Sequence, residues 1–103
     1  MYNKFGQFIN GVWQKSSGDE TYDVINPATE EIIGKASKAN SNDINLALTA
    51  ASNGLNIWKN TSPWERAKVL RKISELIRKK SDVLSKWLTL EVGKPLSEGS
   101  GEV

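Results

Sequence analysis

The chain of 103 residues contains no cysteine and no histidine. Without cysteine there is no disulfide framework and no thiol nucleophile, and without either residue there is no Cys/His zinc site. Without histidine there is no Ser-His-Asp triad, no HExxH metalloprotease helix and no imidazole general base. Catalysis by these residues alone would fall to carboxylates, lysines, tyrosines or a borrowed group. An excess of charge of one sign is also lacking. Fourteen Lys+Arg against twelve Asp+Glu leave a formal net charge of +2, too even for the strong one-sided basic excess of a nucleic-acid footprint. No apolar run approaches the roughly 20 residues of a membrane span. The opening Met1-Tyr2-Asn3-Lys4-Phe5-Gly6 lacks the apolar core of a secretory leader. These features predict a soluble, cytoplasmic protein with neither a nucleic-acid nor a membrane partner.

What is present divides into two halves. The first has β character. Phe8-Ile9-Asn10-Gly11-Val12-Trp13 sets two apolar pairs around Asn-Gly, the dipeptide that suits a two-residue turn with φ > 0 at both positions, so a hairpin is predicted near 8–13. Thr21-Tyr22-Asp23-Val24-Ile25 alternates and predicts a strand near 21–25. Asn26-Pro27-Ala28-Thr29 stops it, because Pro27 fixes its own φ and biases Asn26 to an extended backbone. A further strand is predicted near 31–36.

The second half is helical. Ser41 or Asn42 is the expected N-cap of a helix near 42–58, with Asp43 favourable in its first turn. Ile44, Leu48, Ala51, Leu55 and Trp58 form one apolar stripe, and Asn53-Gly54 weaken its later turns. Ser62-Pro63-Trp64-Glu65 is the sharpest local signal: a capping serine, a proline at the first helical position and a glutamate placed for a capping box. A helix near 63–92 follows, with Ser81-Asp82 either restarting or continuing it. Gly93 is placed for a left-handed C-cap and Pro95 forbids continuation. Ser97 is the expected cap of one more helix, near 97–103. The fold class is α+β, a small antiparallel β element followed by helices, in a single partial domain spanning 1–103. Wide apolar helix faces, short strands and four tryptophans read as a piece whose apolar surface was meant for a larger body, since each aromatic buries roughly 150–250 Å².

Chemical motifs are sparse. Gly93-Lys94-Pro95 imitates the end of a phosphate loop, but Pro95 and Leu88 stand where Ser/Thr and glycine are required. Gly99-Ser100-Gly101 starts like a dinucleotide fingerprint with no strand before it. Lys68, Arg71, Lys72, Arg78, Lys79 and Lys80 are interrupted by Glu75 and read as a solvated helix face. Asp82, Glu91, Glu98 and Glu102 do not share one helical face, and Pro95 breaks the helix among them.

Four blocks nevertheless occur in an order that resembles the amino-terminal region of the NAD(P)-dependent aldehyde dehydrogenases. They are Phe8–Trp13, Val24-Ile25-Asn26-Pro27-Ala28-Thr29-Glu30-Glu31-Ile32-Ile33, Pro63-Trp64-Glu65-Arg66-Ala67 with Trp58 and Leu70, and Thr89-Leu90-Glu91-Val92-Gly93-Lys94-Pro95-Leu96-Ser97-Glu98. The last block looks most like the succinate-semialdehyde dehydrogenase branch. The resemblance implies an amino-terminal segment of an enzyme several times longer, forming the outer layer of its cofactor domain. That enzyme oxidises an aldehyde to an acid with NAD or NADP: a cysteine thiolate attacks the aldehyde, and a glutamate activates water. Those residues and the cofactor-binding glycines match no position in this chain, which is therefore expected to be inactive alone and to bind no cofactor. The implied partner is the remainder of the parent enzyme. The alternative is a non-enzymatic module that self-associates through its apolar helix faces. The resemblance carries over one candidate site, a monovalent cation held near Ile25 and Glu91, although Val92 stands where the family often has aspartate.

Overall fold

A computed structural model describes residues 6–103; the stretch Met1–Phe5, where a leader would begin, lies outside the described residues. The chain forms two compact units, one from the residues up to Val24 together with Ile32–Asn60, the other from Ile25–Glu31 together with Thr61–Val103.

In the first unit β1 (Gln7–Ile9) and β2 (Val12–Gln14) form an antiparallel hairpin with Ile9 paired to Val12. Asn10 and Gly11 make the turn at φ 52° and 80°, the positive values that a tight hairpin demands and that Asn-Gly tolerates. Phe8 sits opposite Trp13, ring centroids 5.1 Å apart and tilted by 51°, a pairing that favours the register. β3 (Thr21–Ile25) pairs with β4 (Ile32–Ser37) as a separate two-stranded sheet. Lys35 reaches Asp23 at 2.6 Å and Lys38 reaches Glu20 at 3.1 Å; both pairs are exposed and contribute little each. Both strand pairs therefore lie within a residue or two of where the alternation predicts them.

α1 (Ser41–Asn60) runs straight through Asn53 and Gly54. Its cap differs from expectation. Neither Ser41 nor Asn42 caps it; Asn40 does, its Oδ1 accepting from the Asn42 and Asp43 amides at 2.9 and 3.1 Å. Asp43 returns the contact by accepting from the Asn40 amide at 3.1 Å. Asp43 is thus the third helical residue of a reciprocal capping box whose first member lies one residue earlier than the polar run suggests. A methyl group added at Gly54 meets nothing within 4 Å. Gly54→Ala is accordingly expected to stabilise α1 by roughly 0.5–1 kcal/mol, read as a higher midpoint of helical circular dichroism on heating.

In the second unit α2 (Pro63–Lys79) begins as predicted: Ser62 Oγ accepts from the Glu65 amide at 3.3 Å, with Pro63 at the first position. The helical run does break near 81. Lys80, at φ −110° and ψ 10°, donates its amide to Ile77 O, and α3 (Ser81–Val92) restarts from it. Gly93 closes α3 in the left-handed region at φ 76°, its amide donating to Thr89 O at 3.0 Å. α4 (Leu96–Glu102) follows; its cap is Pro95, and Ser97 lies inside the helix rather than before it. Proline fits there because its fixed φ suits a helix entry and no amide donor is needed. α3 and α4 pack through small residues: Ser85 and Gly99 are both buried, and Lys94 pairs with Glu102 across the connection.

Among the described residues no apolar side chain is buried. Val69, Leu70, Ile73, Leu76 and Ile77 line α2 and stay exposed, as do Ile44, Leu48 and Leu55 on α1; Trp64 is 84 % exposed. Helices and strands of this kind gain most of their stability by burying one face, and within each unit that face is uncovered.

Candidate functional site

The turn between β3 and β4 is built by its own sequence. Asn26 Oδ1 accepts from the Ala28 amide at 2.9 Å, and Asn26 O accepts from the Glu30 amide at 2.8 Å. The Asn26 amide donates to Glu31 O at 2.9 Å. Glu30 takes a left-handed φ of 59°, which the surrounding hydrogen bonds hold in place. Thr29 Oγ1 donates to Glu31 Oε2 at 3.2 Å and accepts the Glu31 amide at 3.4 Å. The Asn-Pro-Ala-Thr sequence thus encodes a rigid turn: asparagine supplies the side-chain acceptor and proline the fixed φ.

That turn lies against the end of α3. A Cβ built on Gly93 would stand 3.0 Å from Pro27 Cγ. Two sequence blocks far apart in the chain therefore meet within the second unit. Ile25 ends β3 two residues before Pro27, and Glu91 lies two residues before Gly93, in the last turn of α3. The contact brings the neighbourhoods of the two candidate cation-site residues together. A carboxylate and a backbone carbonyl at the negative end of a helix are the right donor chemistry for a hard cation. Both residues are exposed, and among the described residues no group of three or more acidic side chains gathers to hold a metal.

The first unit contains a polar cluster that composition and spacing did not reveal. Asp43 is only 1 % exposed. Its carboxylate accepts from the Asn40 amide, the Ser17 amide at 3.0 Å, Ser16 Oγ at 2.9 Å and Gln7 Nε2 at 3.3 Å. The Asn40 amide, ahead of the Ser17 amide and the serine hydroxyls, holds the Asp43 carboxyl well below the usual carboxylate range, outweighing the opposing effect of burial. With both oxygens engaged, this carboxylate fastens the hairpin strand and the following loop to the start of α1. Its donors commit this carboxylate to structure. The signal was present as Asn40-Ser41-Asn42-Asp43, but only the fold shows that Ser16 and Gln7 converge on it.

The remaining motifs resolve as elements of structure. Gly99 and Gly101 lie within α4, not in a loop between a strand and a helix, so the geometry that binds a dinucleotide pyrophosphate does not form there. The basic residues Lys68, Arg71 and Lys72 run along α2 beside Trp64, and Lys72 is engaged by Glu75 at 3.4 Å. No helix among the described residues is long and apolar enough to cross a membrane.

Comparison with solved structures gives the class. The chain superposes on a succinate-semialdehyde dehydrogenase from Burkholderia pseudomallei with a TM-score of 0.91 and 37% identity, covering 95% of this chain and 20% of that one. It also superposes on a betaine aldehyde dehydrogenase variant from Staphylococcus aureus in complex with NAD+, with a TM-score of 0.89 and 30% identity, covering 94% of this chain and 20% of that one. Both are dehydrogenases of aldehydes. In sequence, it is 41% identical over 96 residues to the succinate-semialdehyde dehydrogenase [NADP(+)] 2 of Schizosaccharomyces pombe, covering 93% of this chain and 20% of that protein. The model of the aldehyde dehydrogenase family matches residues 13–103. The chain belongs to the aldehyde dehydrogenase family, and it spans about a fifth of the length of the curated relatives it matches.

Proposed function

We propose that residues 1–103 are the amino-terminal part of the cofactor-binding domain of an aldehyde dehydrogenase that oxidises an aldehyde, succinate semialdehyde foremost, to its acid with NAD or NADP. The observation that carries the reading is the family match over residues 13–103 in a chain that leaves the apolar faces of its helices uncovered. The succinate-semialdehyde preference rests on the two relatives that bear that name. In this reading the four-fifths of the relatives' length without a counterpart here supplies the thiolate, the water-activating carboxylate and the dinucleotide site. Its thiolate chemistry suits the reducing cytoplasm. This chain supplies the capped helices and the strand pairs that pack beside the nucleotide-binding sheet. Ile25, through its carbonyl, and Glu91 would contribute part of a monovalent-cation site completed by the remainder of the parent.

The reading predicts that the 103-residue chain is inactive alone. Incubated with succinic semialdehyde and either NAD or NADP, it should produce reduced cofactor no faster than a heat-treated control; turnover above that control overturns the prediction. A second reading draws on the same uncovered faces: on its own the chain self-associates through them. A monomer by light scattering that persists on concentration would remove it.

A further inference from the structure

Two Asn-Gly pairs occur in the sequence, Asn10-Gly11 and Asn53-Gly54, and the fold sets them in opposite environments within the first unit. An Asn-Gly pair can react with itself. The glycine backbone nitrogen adds to the asparagine amide carbon, Cγ, and forms a new bond to it. The bond from Cγ to the amide nitrogen Nδ2 breaks, and Nδ2 leaves as ammonia with the proton that the glycine nitrogen has given up. Water then opens the five-membered succinimide at either carbonyl, giving aspartate or isoaspartate. The sequence of steps consumes one water and releases one ammonia, with no change of oxidation state.

Attack needs a glycine nitrogen that is free and an asparagine backbone that can swing toward it. At Asn53 neither condition holds. Both residues lie in the interior of the twenty-residue helix α1, where helix geometry commits the Gly54 amide to the carbonyl of Ala50. Reaction there requires the helix to unwind on both sides. At Asn10 both conditions are met. The ladder pairs Ile9 with Val12, so the Gly11 amide stands outside it. Asn10 and Gly11 are exposed, and the space around Gly11 is open. The hairpin is a two-stranded sheet of three residue pairs; Gln7 ties it to α1 at the end away from the turn, and so short a ladder opens at its turn at far less cost than a helix interior.

We propose that Asn10 is a site of spontaneous deamidation and isoaspartate formation, and that α1 protects Asn53 from the same reaction. The isoaspartyl product carries one extra backbone carbon through a two-residue turn. It uncouples the Ile9–Val12 register and with it the facing of Phe8 and Trp13. Gln7, on the same strand, is a donor to Asp43, so the modification also reaches the polar cluster that holds α1.

The test is to age the full chain in mildly alkaline buffer, with and without urea. Peptide mapping by mass spectrometry, together with labelling by an isoaspartyl methyltransferase, reports each site. In buffer the Asn10 peptide should convert on the order of ten-fold faster than the Asn53 peptide, because local opening of a short hairpin is far less costly than opening a helix interior. In urea the two rates should converge. Asn10→Gln should abolish most of the methyl labelling of aged native protein. Equal rates in buffer, a faster Asn53, or a ten-fold difference that persists in urea would each overturn the proposal, the last by assigning the selectivity to neighbouring sequence instead of fold.

Discussion

Asp43→Ala is expected to lower the melting midpoint of the protein by on the order of 10 °C, the largest effect of any single polar substitution here. The reason is the number of donors one carboxylate serves. Removing it strands the buried Ser16 hydroxyl and the Ser17 and Asn40 amides at once, and a buried donor left without an acceptor costs more than a made hydrogen bond returns. It also deletes the reciprocal half of the α1 capping box. Asp43→Asn is the sharper test. It keeps the shape but turns an NH2 toward amides that are themselves donors, so it should recover only part of the loss. Hydrogen exchange at the Ser17 and Asn40 amides reads the change locally.

The same carboxylate sets a pH dependence whose sign follows from its depressed pKa. A group that ionises more readily in the folded than in the unfolded state contributes stability that is fully present above the unfolded carboxylate range. That stability is lost as pH falls through the range toward the folded value. The native protein should therefore weaken progressively below roughly pH 4. The Asp43→Asn variant should show a flatter acid limb while being less stable at neutral pH. A variant with the acid response of the native protein would show that other groups govern it.

Gly93→Ala is expected to destabilise the second unit by roughly 2 kcal/mol or more, since two penalties coincide. The residue holds a φ of 76°, where a Cβ costs roughly 1–2 kcal/mol, and that Cβ would meet Pro27 Cγ at 3.0 Å. Gly93→Asn separates them. Asparagine tolerates the left-handed backbone but keeps the contact with Pro27, so the fraction it recovers measures the strain alone. Pairing Gly93→Ala with Pro27→Ala in a double-mutant cycle should show coupling, because the shortened side chain makes room. Independent, additive effects would mean that the turn and the helix end do not press on one another in solution.

Much of this was legible in the sequence. Asn10-Gly11 specified a tight turn because few other dipeptides accept two positive φ angles. Ser62-Pro63 specified a helix start, and Gly93 with Pro95 a helix end, because capping is settled by residues within one turn of each other. The two misplaced caps have different causes. Asn40-Ser41-Asn42-Asp43 offers several polar residues able to cap α1, and local preference does not rank them. Asn40 prevails because Asp43 is also claimed by Ser16 and Ser17, residues 27 and 26 positions away. Ser97 loses the α4 cap to Pro95 because Gly93 has already turned the backbone, so the helix begins as soon as proline allows.

By itself the sequence determined the element order, the turns and the caps at Ser62 and Gly93, and its four blocks pointed to the family. These depend on interactions between near neighbours or on patterns that survive without a partner. The tertiary structure alone decided that Asp43 is a fully engaged structural carboxylate and that Pro27 rests on Gly93. It alone decided that one Asn-Gly pair lies open in a small hairpin while the other is locked in a helix. Each of these is fixed by which distant residue arrives at a given atom, and spacing along the sequence carries no record of that. The missing cysteine and histidine first confined the chemistry to carboxylates, lysines and tyrosines. The fold then showed the one buried carboxylate among the described residues committed to structure.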